Sequence, residues 1–148
     1  METILLLLFM SKLVQHQMSG IATHYGCGWN GRVGASGIVV NCHDPTAAHK
    51  TLPFGTIVRV TNNNPKHPKY GQSTVVIIFD RGPQAKSRCI DMMPYSLWSI
   101  TQHKAGGVRV KLEIVSSKYA CKSNGCLARE LHTKRIDDKK MLELLTGI

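Results

Sequence analysis

The segment "STVVIIFDRGP" (73–83) limits the possible folds more than any other stretch of this chain. Val75, Val76, Ile77, Ile78 and Phe79 follow one another without a polar residue between them. A strand with no alternation has to be covered on both faces, as a central strand of a barrel or sandwich is. Arg81-Gly82-Pro83 then ends the run, because glycine can take positive φ and proline cannot extend the ladder. Asp80 sits at the mouth of this strand and has two readings. It is a turn residue that accepts nearby backbone amides, or an acid whose apolar neighbours raise its proton affinity, as general acid catalysis at neutral pH needs.

The surrounding pattern extends the β reading from Gly20 to Val115. "GIATHYG" (20–26) and "GTIVRVTN" (55–62) are strand candidates, the second closed by the turn-rich "NNNPKHPKYG". "VRVKLEIV" (108–115) alternates, with Val108, Val110, Leu112 and Ile114 predicted inward and Arg109, Lys111 and Glu113 outward. "PYSLWSITQHKAGG" (94–107) reads as one short helix that starts at Pro94 and stops at Gly106-Gly107. Short strands, a single helix and glycine-rich turns point to a small closed barrel, since closure removes exposed strand edges.

At 148 residues the chain fits one barrel domain over residues 20–115, flanked by an apolar segment (1–19) and a basic tail (116–148). In the tail, Leu127, Leu131, Ile136, Leu142 and Leu145 recur among charges, which predicts an amphipathic helix within 127–146. It either packs on the barrel or stands off as a basic appendage. The apolar run Ile4–Met10 is far below the roughly 20 residues of a spanning helix, so no stable membrane span is expected. As a secretion signal it is poor: Glu2 replaces the positive start, Lys12 follows the run, and no small-residue cleavage site appears. A degenerate signal and an N-terminal helix both fit.

Nineteen Lys and Arg against nine Asp and Glu give a net charge of +10 and call for an anionic partner, such as a cell envelope rich in carboxylates and phosphates. Neither an aromatic RNA-binding motif nor a zinc-finger pattern accompanies that charge, so nucleic acid is not expected. Cys27 with Cys42, and Cys121 with Cys126, could pair in an oxidising compartment, leaving Cys89 over. Cys121, Cys126 and His132 do not have a standard zinc spacing, and no metal or cofactor is expected. "GCGWNG" (26–31) has the glycine spacing of a dinucleotide site, but Trp29 and Asn30 interrupt any helix start, so a glycine-rich loop is the simpler reading.

Three ordered blocks carry a resemblance: "GRVGASG" (31–37), "TAAHKTLPFGTIVRVTN" (46–62) and "VVIIFDRGP" (75–83), followed by "RCIDMM" (88–93) and "GGVRVKLEIV" (106–115). Together they resemble the rare lipoprotein A (RlpA) family of bacterial double-psi β-barrel domains and, more distantly, the barrel domain of expansins. The likeness covers roughly residues 20–115. It implies a mainly β fold: a six-stranded double-psi barrel with one short helix and a C-terminal helical tail. It also implies a groove for peptidoglycan glycan strands and a place in the cell envelope, periplasmic or secreted; a monomer is expected. The poor signal leaves a phage or mobile-element origin open.

The activity implied is that of a lytic transglycosylase. A carboxylic acid protonates the oxygen between N-acetylmuramic acid and N-acetylglucosamine, and the muramic 6-hydroxyl attacks its own anomeric carbon. A 1,6-anhydro end forms and no water is consumed. The nucleophile belongs to the substrate, so a second catalytic carboxylate is not obligatory. By motif position, Asp80 corresponds to the catalytic aspartate and His49 to the histidine of T-A-A-H, while Thr46 and Arg81 hold family positions near the substrate. Tyr25 and Trp29 offer either a stacking face for a sugar ring or ordinary barrel packing.

The departures matter as much. The family's glutamate after A-S-G is Ile38, and the threonine before it is Gly34. Asp44, near His43 and His49, is the candidate to replace the lost carboxylate; Asp91 reads as a cap before the helix. Losing a carboxylate that stabilises an oxocarbenium-like state costs on the order of 10²-fold in rate. The alternative is therefore a non-catalytic, expansin-like module that grips cell-wall polysaccharide through the same groove.

Overall fold

The structure is a computed structural model and describes residues 2–8 and 18–147. Six strands close into a barrel: β1 (Ser19–His24), β2 (Thr46–His49), β3 (Ile57–Asn62), β4 (Ser73–Asp80), β5 (Arg88–Met92) and β6 (Val108–Ser116). Their order around it is β1-β5-β2-β4-β3-β6. Two pairs, β1 with β5 and β2 with β4, are parallel, and the other four are antiparallel. This is the six-stranded double-psi arrangement expected from the sequence.

Strand β4 is covered on both faces: Val76, Ile77, Ile78 and Phe79 are all fully buried. Each such side chain contributes about 1.5–3 kcal/mol through burial, so this strand anchors the core and fixes where Asp80 emerges. Strand β6 alternates as expected through Val108, Val110 and Leu112, but Ile114 is 46% exposed. The ladder with β3 shifts register there, so that Val58 faces Ile114 while Ile57 faces Ser116, and the inward sequence is lost.

Residues 2–8 form an exposed helix, α1, and the rest of the apolar run, with the start of the flanking segment, lies outside the described residues. Helix α2 (Pro94–Ser99) has Pro94 in its first turn but ends well before Gly106. The tail forms two helices rather than one, α3 (Cys126–Glu130) and α4 (Asp138–Thr146). His132 at φ 50° breaks the path between them, and Asp137 restarts it by accepting the Lys140 amide. Leu127, Leu131, Ile136, Met141 and Leu144 are buried in the same core as the barrel, so the tail packs on it. No helix among the described residues is long and apolar enough to cross a membrane.

Candidate active site

Asp80 is the last residue of β4 and is half-buried. Its Oδ1 accepts two main-chain amides, from Ala35 at 2.8 Å and from Arg81 at 2.9 Å. Its Oδ2 accepts the Tyr25 hydroxyl at 2.9 Å. The apolar shelter expected from the sequence is thus only part of its surroundings, since three donors face the carboxylate. Burial, and next the negative charge of Asp80, push the Tyr25 hydroxyl well above its usual range, so it remains a neutral donor.

The Ala35 amide arrives on a tight hairpin. Residues 31–40 fold back on themselves through Val40 to Arg32, Gly34 to Ile38 and Gly37 to Gly34 backbone bonds. The disulfide Cys27–Cys42 ties the segments before and after it. Gly34 lets this hairpin lie directly on β4, because a Cβ there would stand 3.1 Å from the Phe79 ring. Ile38 is fully buried beneath it, so the position matched to the family glutamate is part of the core.

The tail grips the same hairpin. Gly125 donates to the Ala35 carbonyl (2.7 Å), Ala128 to Ser36 (3.0 Å), and Val39 donates to Lys134 (2.9 Å). Ala35 therefore links the Asp80 carboxylate to the tail through its two backbone groups. The second disulfide, Cys121–Cys126, closes the loop that carries Gly125.

Beside Asp80 lies an aromatic face. The Tyr25 ring packs edge-on against Phe79 and stands 6.3 Å from Trp29, which is half exposed and carries the Arg32 guanidinium 4.7 Å over its ring. Tyr25 thus does two things: it bonds the carboxylate and extends the ring surface of Trp29.

The other expected residues sit elsewhere. His49 is 7% exposed, and its Nδ1 accepts the amides of Thr51 (3.1 Å) and Leu52 (3.0 Å). No hydrogen bond joins it to Asp80. Burial, reinforced by the positive charges of Arg81 and Lys50, pushes the ring down to about 4, so it is neutral at neutral pH. Arg81 points away from the carboxylate: its Nη1 donates to the carbonyls of His49 and Leu52, and its guanidinium lies 3.9 Å from the Phe54 ring centre. Thr46 is 1% exposed, inside the barrel wall. Asp44 has Arg135, Asp138 and His43 as charged neighbours, and its Oδ2 is buried without a hydrogen-bond partner. Burial first, and Asp138 next among the raising causes, push it up to about 6 against the pull of Arg135. It belongs to the junction with the tail.

Asp91, expected to cap the turn before the helix, instead shares a barrel row with Asp80. Asp91 accepts Thr23 Oγ1 at 3.2 Å and makes no cap bond to α2. Ladder registers place Asp80, Ala48, Asp91 and Thr23 in one row across β4, β2, β5 and β1. Asp80 and Asp91 are thus two strand spacings apart, about 10 Å along the sheet. Burial is the main cause that raises the Asp91 carboxyl, with Asp80 adding to it.

The lytic transglycolase family model matches residues 17–112. The probable endolytic peptidoglycan transglycosylase RlpA of Synechocystis sp. is 47% identical over 65% of this chain and 28% of its own length. The endolytic peptidoglycan transglycosylase RlpA of Vibrio cholerae is 37% identical over 66% of this chain and 35% of its own. That of Helicobacter pylori is 33% identical over 78% and 37%. The chain therefore spans about a third of the length of these relatives. A solved mutant expansin of Clavibacter michiganensis in complex with cellohexaose matches 70% of this chain and 52% of that one, at 19% identity and a TM-score of 0.47, too distant to carry weight.

Proposed function

Since this chain belongs to the lytic transglycolase family, we propose that it cleaves peptidoglycan glycan strands between N-acetylmuramic acid and N-acetylglucosamine, with Asp80 as acid and then base. The observation that carries this reading is the asymmetric bonding of Asp80. Oδ1 is held by two amides that can only donate, whereas Oδ2 faces a hydroxyl that can either donate or accept. Oδ2 is therefore the oxygen able to hold a proton, with Tyr25 turning to accept from it.

In this mechanism the Oδ2 proton passes to the bridging oxygen as the glycosidic bond breaks. The muramic 6-hydroxyl then bonds to the anomeric carbon and returns its proton to Oδ2. One bond to the anomeric carbon replaces another, and Asp80 ends as it began. Trp29 and the Tyr25 ring provide a face for a sugar ring beside the acid. His49 braces the loop after β2 and supplies a carbonyl to Arg81, a positioning role. The two disulfides suit an extracytoplasmic setting, where such a wall polymer is found.

Ile38 in the core, where the family has a glutamate, favours the second reading, a module that holds the polymer without cutting it. Incubating the protein with peptide-free glycan and weighing the products separates the two. New 1,6-anhydro ends support cleavage; intact strands that co-sediment with the protein support binding alone; neither outcome with any glycan sinks both.

A further inference from the structure

The disulfide Cys121–Cys126 joins a residue fixed to the barrel to a helix that reaches Asp80. Cys121 pairs with the fully buried Phe54 through two main-chain bonds, at 2.7 Å and 2.9 Å. Cys126 begins α3, and the residue before it, Gly125, donates to the Ala35 carbonyl. Each end of the bridge thereby leads to one of the two amides on Asp80 Oδ1. From Cys126 the path runs through Gly125 to the Ala35 amide. From Cys121 it runs through Phe54, whose ring carries the guanidinium of Arg81, to the Arg81 amide.

Helix α3 has five residues and no side-chain cap at its start, and a helix that short does not hold its place alone. The other bonds of loop 122–125 stay local: the Cys126 amide donates to the Ser123 carbonyl, and Arg129 donates to Ser123 Oγ and the Asn124 carbonyl. With the bridge open, α3 keeps its buried Leu127 and the Ala128 bond to Ser36, while the loop that carries Gly125 loosens. The base of the hairpin differs. Beside Cys27–Cys42, the Cys42 amide donates to Asn30 Oδ1, and main-chain bonds join Gly31 to Val40 and Val40 to Arg32. Opening that bridge leaves those ties in place.

The geometry points to Cys121–Cys126 as a redox-governed positioning element for Asp80: with the bridge formed the carboxylate is held for catalysis, and with two thiols in its place the fold persists but turnover drops. This rests on the reading of Asp80 as the proton carrier. Formation joins two thiols through one S–S bond and gives up two electrons and two protons. A disulfide of the exchange class, such as glutathione disulfide, takes up both pairs and leaves as two thiols. Cys121 is the partly exposed half of the bridge and Cys126 the buried one, so exchange enters at Cys121. A reducing compartment keeps the protein slow, and an oxidising one releases its full rate.

The test poises the full wild-type chain in glutathione buffers of graded redox ratio and counts alkylated thiols by mass. Each sample is assayed for kcat and KM on peptide-free glycan, for far-ultraviolet circular dichroism, and for hydrogen exchange of the Ala35 amide by NMR. Cys121→Ser/Cys126→Ser and Cys27→Ser/Cys42→Ser locate the effect. Opening Cys121–Cys126 should lower kcat about tenfold, the scale of one charge-assisted hydrogen bond, with KM and dichroism unchanged. Exchange at Ala35 should rise by a similar factor. Cys121→Ser/Cys126→Ser should match the reduced protein, and Cys27→Ser/Cys42→Ser should keep the oxidised rate. Unchanged kcat and Ala35 exchange on opening overturn the inference, as does a loss that follows Cys27–Cys42 instead. Dichroism that falls in step with kcat, or a Cys121→Ser/Cys126→Ser protein that cannot fold, makes the bridge a staple of the fold and also overturns it. Should no protein yield anhydro ends, the cleavage reading fails separately, and Ala35 exchange alone decides whether the bridge positions the carboxylate.

Discussion

The hydroxyl of Tyr25 donates to Oδ2 of Asp80 across 2.9 Å, joining the residue after β1 to the last residue of β4, strands that are not neighbours in the barrel. The barrel thus brings an aromatic hydroxyl from one strand end onto the one carboxylate oxygen that no main-chain amide holds. Tyr25→Phe removes that donor and keeps the ring. It should lower kcat about tenfold while KM changes little, and cost about 1 kcal/mol of stability. Steady-state kinetics with a thermal melt check both; a loss confined to KM would mean that Tyr25 serves only the sugar face.

The tail should matter to the chemistry through Gly37. A Cβ at that position would stand 2.8 Å from the Ala128 Cβ, at φ 85°. Gly37→Ala should destabilise the protein by about 1–3 kcal/mol and lower kcat, because the hairpin carrying Ala35 is forced off α3. Adding Ala128→Gly should restore part of both losses, since the clash goes and the backbone strain remains. Unaltered kcat in a variant with a lowered melting temperature would separate the tail from the site.

His49 should be a brace and not a proton carrier. Replacing it by Ala leaves the Thr51 and Leu52 amides without their acceptor, at about 1–3 kcal/mol. Because the folded ring is held down at about 4 and the unfolded one near 6.5, the unfolded state takes up protons first as pH falls. Wild-type stability from this group is complete above 6.5 and is lost between 6.5 and 4; His49→Ala should lack that slope. Its kcat per folded molecule at low temperature should stay within about threefold of wild type, against the 10²-fold or greater loss expected for a proton carrier.

Asp44 should have the opposite sign. Its carboxyl, raised to about 6 in the fold from 3.8, is favoured protonated, so the folded state is penalised as pH rises from 4 to 6. Asp44→Asn should stabilise the protein above pH 6 by about 1 kcal/mol, allowing for solvent screening of a half-buried group. Melts at about pH 4 and about pH 7.5 should show a gain only at the higher value.

What could be read from residues divides along physical lines. The β4 run declared its double burial because four fully buried side chains in succession leave no other pattern. The two shortest strands had no such mark: Thr46–His49 and Arg88–Met92 are too short for a period, and only the matched family motifs placed them in a barrel. Asp80 was legible as a special carboxylate, but its partners were not, since Tyr25 and Ala35 are 55 and 45 residues away. Asp91 was mistaken for a helix cap because adjacency in sequence suggested α2, whereas ladder pairing puts it opposite Thr23. The single helix expected in the tail failed at His132, whose positive φ has no sequence signature as glycine would.

The most direct measurement compares Asp80→Asn with wild type on peptide-free glycan, by mass spectrometry of the products and by binding to the same strands. Asparagine keeps an acceptor for the amides of Ala35 and Arg81, so the fold and glycan affinity should persist. Anhydro-ended products should fall by about 10²-fold or more. Cleavage that continues at the wild-type rate in a folded Asp80→Asn protein would contradict the assignment of Asp80 as the proton donor.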